Sequence, residues 1–121
     1  MAKNLEVTLL LDFYGDMLTA NQRNYLGYYY NDDLSLSEIA QNEGITRQGV
    51  RDAIKRAENQ LFEMEARLGL AKRFQQVRTG LSEITECANV INDFNMHNSL
   101  SREINDAVVR IKSIAAVLAE D

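Results

Sequence analysis

The sequence predicts an all-α protein, with a helix-turn-helix unit of winged-helix-like type followed by long C-terminal helices that associate as a homodimer. Three observations predict this. No proline and only six glycines occur in 121 residues, which favours uninterrupted helices over the many turns of an all-β fold. Apolar residues recur at three- and four-residue spacings along most of the chain. Two S/T-x-x-E/Q capping boxes, Thr19–Gln22 and Ser35–Glu38, mark helix starts. The length suits one domain, 1–121, in which 5–69 forms the helix-turn-helix unit and 70–121 a helical hairpin or dimerisation extension.

A first helix is expected from about Leu5 to Leu18. Leu9, Leu10, Phe13, Met17 and, at its margin, Leu5 form the buried face, with Asp12 and Asp16 on the other side. Gly15 weakens this helix by ~1 kcal/mol relative to alanine. The Thr19 box then opens a second helix, roughly Ala20 to Tyr30, burying Tyr25, Leu26 and Tyr29. Tyr28 and Tyr30 fall on its flanks, where a phenol buries its ring and keeps its hydroxyl wet. Tyrosines can also stack bases, but single-strand binders interleave aromatics with basic residues, and here Asn31, Asp32 and Asp33 follow. Packing is therefore the expected role, and the Asn-Asp-Asp run reads as a turn.

Ser35 to Lys55 is the stretch around which the chain is organised. From the Ser35 cap a short helix carries an apolar stripe of Leu36, Ile39 and Ala40, and Gly44 can take the left-handed conformation that ends it. Ile45 is expected as a buried plug, and Thr46 as the cap of a second helix that buries Val50 and Ile54. That helix turns Arg47, Gln48, Arg51, Lys55 and Arg56 outward. A short helix, a tight glycine turn and a helix with a polar, basic leading face make a helix-turn-helix. Such a unit can lay its second helix in a DNA major groove, serve as a protein-docking surface, or be a plain helical corner whose Arg and Lys are ordinary solvated surface.

The second motif helix does not stop where DNA reading would need it to. Val50, Ile54, Ala57, Leu61, Met64 and Leu68 continue as a heptad seam, which Gly69 interrupts. Phe74, Val77, Leu81, Ile84, Ala88 and Ile91 form a second seam. Asn95, His97, Asn98 and Ser99 read as a polar break with capping chemistry. Ile104, Ala107, Ile111, Ile114 and Leu118 form a third seam. Such seams bury themselves in an antiparallel hairpin or against a second copy of the chain, and both are expected. A two-fold dimer would present two reading helices to DNA half-sites.

Catalytic and metal chemistry find no support. His97 stands alone in the Asn-rich break, the pairs Asp32/Asp33 and Glu63/Glu65 lie in a turn or on a helix exterior, and no Gly-rich phosphate loop or metal-spaced cluster occurs. The single Cys87 excludes an intramolecular disulfide and reads as a buried or half-buried inert thiol. A non-enzymatic protein without cofactor or metal is expected. With no apolar leader in residues 1–20 and no membrane-length segment, the cytoplasm is its expected location. The net charge of −5 argues against non-specific coating of nucleic acid, yet residues 44–80 are +4 and the remainder −9. Thr46, Arg47 and Gln48 occupy the turn that would meet base edges; Arg51, Lys55 and Arg56 follow where phosphates would run. Asp52, on the same helix, would be repelled by phosphate.

The stretch LTANQRNYLGYYYNDDLSLSEIAQNEGITRQGVRDAIKRAENQLFEMEARLGL resembles the YlxM family of small bacterial proteins, specifically over about residues 5–70. Beyond that only the helical pattern is shared, and the tail is longer than the family pattern suggests. DLSLSEIAQNEGITRQGVRDAIKRAENQL is similar to the DNA-reading region 4 of sigma factors, which makes the fold sigma region 4-like. Arg51 stands where the family pattern has an aromatic. The resemblance implies a regulatory protein of the signal recognition particle pathway, with DNA binding through the helix-turn-helix. The alternative it leaves open is an adaptor that contacts the particle's protein or RNA without binding DNA.

Overall fold

The computed structural model describes residues 2–120. Six α-helices follow one another: α1 (Glu6–Tyr14), α2 (Ala20–Leu26), α3 (Leu36–Glu43), α4 (Arg47–Leu68), α5 (Leu70–Phe94) and α6 (Arg102–Leu118). No strand occurs among the described residues, so the helix-turn-helix carries no wing. Both capping boxes are made. Thr19 and Gln22 exchange bonds of 3.2 and 3.1 Å, and Ser35 and Glu38 exchange bonds of 3.0 and 3.1 Å. These satisfy N–H groups that a helix start leaves without partners. Contacts divide the chain into a unit ending at Ala71 and one starting at Lys72.

In the first unit α4 packs against α1, α2 and α3. Its buried row, Val50, Ile54, Ala57 and Leu61, is fully enclosed. Around it lie Val7, Leu10, Leu11 and Tyr14 of α1, Leu26, Tyr29, Leu36 and Ile39. The seam expected on α4 is therefore the spine of this core, except that Leu68 at its end is 54% exposed.

The expected face of α1 is met at Leu10 but is otherwise out of phase. Leu5 and Met17 are 79% and 63% exposed, and Leu9 and Phe13 are only partly buried. The buried row is instead Val7, Leu10, Leu11 and Tyr14, an equally good helical spacing. The helix also ends at Tyr14, and a 3₁₀ turn over Gly15–Met17 points Met17 outward and buries Leu18. Gly15 is itself buried, and a Cβ there would stand 3.3 Å from Leu11 Cδ1.

Past Leu26 the second helix widens into a π turn, Gly27–Asn31. Tyr29 is buried, and Tyr25, Tyr28 and Tyr30 are half-buried. The Tyr29 and Tyr30 rings meet edge-on at 5.2 Å, Lys3 Nζ sits 4.7 Å from the Tyr29 ring centroid, and Tyr30 donates to Glu58 at 2.5 Å. These contacts use the tyrosines for packing. In the turn that follows, Asp33 adopts a left-handed φ of 59°, and its ion pair with Lys3 holds its carboxyl below the usual carboxylate range.

One network closes the unit at the α4–α5 junction. Gly69, at φ 64°, ends α4. Tyr14, 1% exposed, donates its hydroxyl to Glu65 Oε1 at 2.6 Å and accepts the Leu70 N–H at 3.1 Å. Glu65 Oε1 also accepts the Ala71 N–H at 3.1 Å. The opening N–H groups of α5 are thus satisfied by a phenol and a carboxylate brought from α1 and α4.

In the second unit the chain reverses through a π turn, Asn95–Ser99, and through Leu100 at φ 49°. Ser101 caps α6 by accepting the Ile104 N–H at 3.2 Å. The turn is braced by Asn95, 1% exposed, whose amide donates to the Ser101 carbonyl and accepts the Ser101 N–H, both at 2.8 Å. The polar break expected here is therefore a built corner. Its His97 is exposed, with Nδ1 2.7 Å from the Asp93 carbonyl.

The two C-terminal seams depart from expectation. Among the described residues of this unit only Ala88, Asn95, Val108 and Ala115 are buried, while Ile84, Ile91, Ile111 and Leu118 are 40% to 58% exposed. Two helices share one seam between them; a second row on each needs something further to cover it. Cys87 is likewise exposed rather than buried.

Candidate nucleic-acid interface

The turn between α3 and α4 is fixed by local bonds. Gly44 takes φ 70°, its N–H bonding the Ala40 carbonyl, and the Ile45 N–H bonds the same carbonyl at 3.1 Å. This left-handed ending suits glycine, since other residues meet a steric penalty there. Two residues on, Thr46 Oγ1 accepts the Gly49 N–H at 3.0 Å and starts α4. Ile45, squeezed between ending and cap, is 41% exposed. It is no plug; the capping bonds and the packing of α3 on α4 hold the turn.

Helical spacing from the buried row of α4 sets the direction of every other side chain. Gln48, Asp52, Lys55 and Asn59 point directly away from the core. Arg47 and Arg51 lie on one shoulder of that face, and Arg56 on the other. Thr46, Arg47, Gln48, Lys55 and Arg56 are exposed, and Arg51 is half-buried. The six expected residues thus lie at the leading end of α4: Gln48 and Lys55 on its outward face with Asp52 at the centre, Arg51 and Arg56 on its flanks, and Thr46 and Arg47 in the capping turn. Among the described residues none of the ion pairs involves Arg47, Arg51, Lys55 or Arg56.

Asp52 does not merely interrupt the positive face. Gln48 donates its amide to Asp52 Oδ1 at 2.9 Å, one turn along the helix. The carboxylate fixes the amide plane, leaving Gln48 Oε1 and one N–H free to face outward. Asp52 and Gly49 thus contribute to this face in ways that their residue types alone do not announce. A Cβ at Gly49 would stand 3.1 Å from Thr46 Oγ1, so the glycine keeps room for the cap. The i, i+4 spacing of Gln48 and Asp52 was a signal for the first. The second needs coordinates.

Residues 1–100 match the family described as "Putative helix-turn-helix protein, YlxM / p13 like", UPF0122. The chain belongs to this family. UPF0122 proteins similar to it include one from Shouchella clausii, 48% identical over 82 residues, covering 68% of this chain and 75% of that protein. Another, from Listeria welshimeri, is 36% identical over 112 residues, covering 93% of this chain and 96% of that one. The likeness therefore reaches well past residue 70, and the long tail is shared rather than peculiar to this chain. UPF0122 membership and the all-helical fold support the helix-turn-helix reading. No helix among the described residues is long and apolar enough to cross a membrane, and no group of three His, Cys, Asp or Glu is placed to hold a metal.

Proposed function

We propose that this UPF0122 protein is a non-enzymatic, cytoplasmic, DNA-binding regulator that works as a homodimer in the signal recognition particle pathway. The observation that carries the DNA reading is the leading face of α4. There, exposed Arg47, Gln48, Lys55 and Arg56, with Arg51 at the shoulder, project from a helix whose opposite side is locked into the core. Arg and Gln pair bidentately with guanine and adenine edges, and Thr46, Arg47 and Gln48 stand in the turn that would enter a major groove. Arg51, Lys55 and Arg56 meet phosphates. The pathway assignment comes from the resemblance to YlxM proteins. Binding of wild type and Arg47→Ala/Gln48→Ala to a pool of short duplexes at two salt concentrations tests the DNA reading. Selective, salt-sensitive binding lost in the variant supports it, and enrichment of no duplex overturns it.

A second reading is favoured by charge. The protein is net −5, and its basic residues continue past Gly69 to Arg73 and Arg78, beyond what a groove-reading helix uses. On that reading it is an adaptor that contacts the particle's protein or RNA by shape and charge, and Arg47→Ala/Gln48→Ala leaves particle binding intact.

A further inference from the structure

Within the hairpin, the buried positions Ala88 and Asn95 of the α5 side are seven residues apart, as are Val108 and Ala115 of α6. Beside each runs an outer row at the same spacing: Val77, Ile84 and Ile91 on α5, and Ile104, Ile111 and Leu118 on α6. These six side chains are 37% to 58% exposed. Ile84, Ile91 and Ile111 line one shallow groove, so both outer rows open on the same face of the hairpin. Along that face, positions 77, 80, 84, 87, 91 and 94 of α5 and 104, 107, 111, 114 and 118 of α6 carry no charge, although Glu83 also lines the groove.

We infer that this face is covered by the same face of a second copy, the two hairpins completing an antiparallel four-helix bundle. This deepens the homodimer named above and holds whether or not DNA is bound. Rows of period seven are filled by side chains from helices of the same period. The seam of α4 is already consumed by the first core, so the rows of this chain left to match are those of the hairpin itself. A self-complementary patch is what a two-fold interface requires. The area is sufficient. A standard interface takes ~800 Å² from each partner, about 57% of it apolar, and the six outer side chains alone offer roughly 500 Å². That is also near the upper end of what a monomer leaves uncovered.

The test is sedimentation velocity of the full chain without nucleic acid, so that its outcome is separate from that of the duplex selection. Wild type is expected at the mass of a dimer. Ile84→Glu/Ile111→Glu is expected at the mass of a monomer with unchanged helical circular dichroism. Val109→Glu, on the far side of α6, is expected to remain a dimer. A wild-type monomer, or a dimer that survives Ile84→Glu/Ile111→Glu, overturns the inference. Cys87 gives a readout on the unaltered chain, because it lines the same groove. Its alkylation rate is expected to fall at least about fivefold as protein concentration rises through the dimerisation range. A rate independent of concentration overturns the inference even if the variant fails to fold.

Discussion

Gln48 and Asp52 are joined by a 2.9 Å hydrogen bond from amide to carboxylate, at the centre of the outward face of α4. On the DNA reading an acid on this face is costly unless it has other work, and here it holds the amide of a candidate base-reading residue. On the DNA reading, Asp52→Ala removes the repulsion and the restraint together. Its affinity for unselected duplexes is expected to rise about fivefold. Preference at the base pair that Gln48 meets is expected to flatten. Asp52→Asn keeps an acceptor for Gln48 and is expected to raise affinity while retaining the preference. Duplex selection with both variants checks this; equal preference in all three proteins would remove Asp52 from the account.

Tyr14→Phe deletes the hydroxyl that joins Glu65 to the start of α5. It leaves the Leu70 N–H without its acceptor and removes one of the donors to Glu65, and is expected to cost ~1–3 kcal/mol in urea unfolding.

Burial, together with the Glu65 hydrogen bond, raises the Tyr14 hydroxyl above its ordinary pKa, and the same two causes raise Tyr30 beside Glu58. A pKa raised on folding contributes stability that is fully present below the unfolded value, about 10 for tyrosine, and is lost as pH climbs through the folded value. Stability is therefore expected to hold from neutral pH to ~9.5 and to fall above ~10. The fall should be shallower in Tyr14→Phe, which leaves Tyr30 as the remaining contributor. Urea midpoints measured across that range decide it; parallel curves for the two proteins would exclude Tyr14.

Thr46→Ala removes the cap of α4 and is expected to cost ~1 kcal/mol. Gly44→Ala forces alanine into a left-handed φ and is expected to cost about 1–2 kcal/mol. Thermal unfolding measures both. Thr46→Ala should also weaken duplex binding beyond its effect on stability, because it frays the turn that carries Arg47 and Gln48.

Leu61→Ala, within the α4 spine, is expected to cost ~2–5 kcal/mol. Asn95→Ala removes both bonds that brace the hairpin corner and is expected to cost about 1–3 kcal/mol. Hydrogen exchange separates them: the first should deprotect α1 to α4, the second the segment around Asn95 and Ser101.

What the sequence made legible was whatever depends on neighbours along the chain. The Thr19, Ser35 and Thr46 caps and the Gly44 ending are bonds across three to five residues, and each stands where its chemistry indicated. The α4 seam was legible because period seven leaves one choice of face. On α1 two apolar rows competed, and the winner includes Tyr14, whose partner Glu65 lies 51 residues away, out of reach of any local pattern. Ile45 is apolar yet 41% exposed, because apolarity alone does not place a turn residue in the core. The outer rows of α5 and α6 were visible as seams, but a seam in one sequence does not reveal how many helices share it. At the interface, the outward direction of Arg47, Gln48, Lys55 and Arg56 followed from periodicity. The bond that ties Gln48 to Asp52 did not.

The core of the helix-turn-helix unit does not end at the glycine that ends its last helix. Ala71, two residues beyond Gly69, is 2% exposed within that core, and its N–H is held by Glu65. The first turn of α5 is thus inherited with the helix-turn-helix. Shuffling of tails among relatives, natural or by hand, leaves the helix-turn-helix unit whole only when the crossover falls after Ala71. A graft made at Gly69, where the chain visibly bends, would separate Tyr14 and Glu65 from the groups they cap.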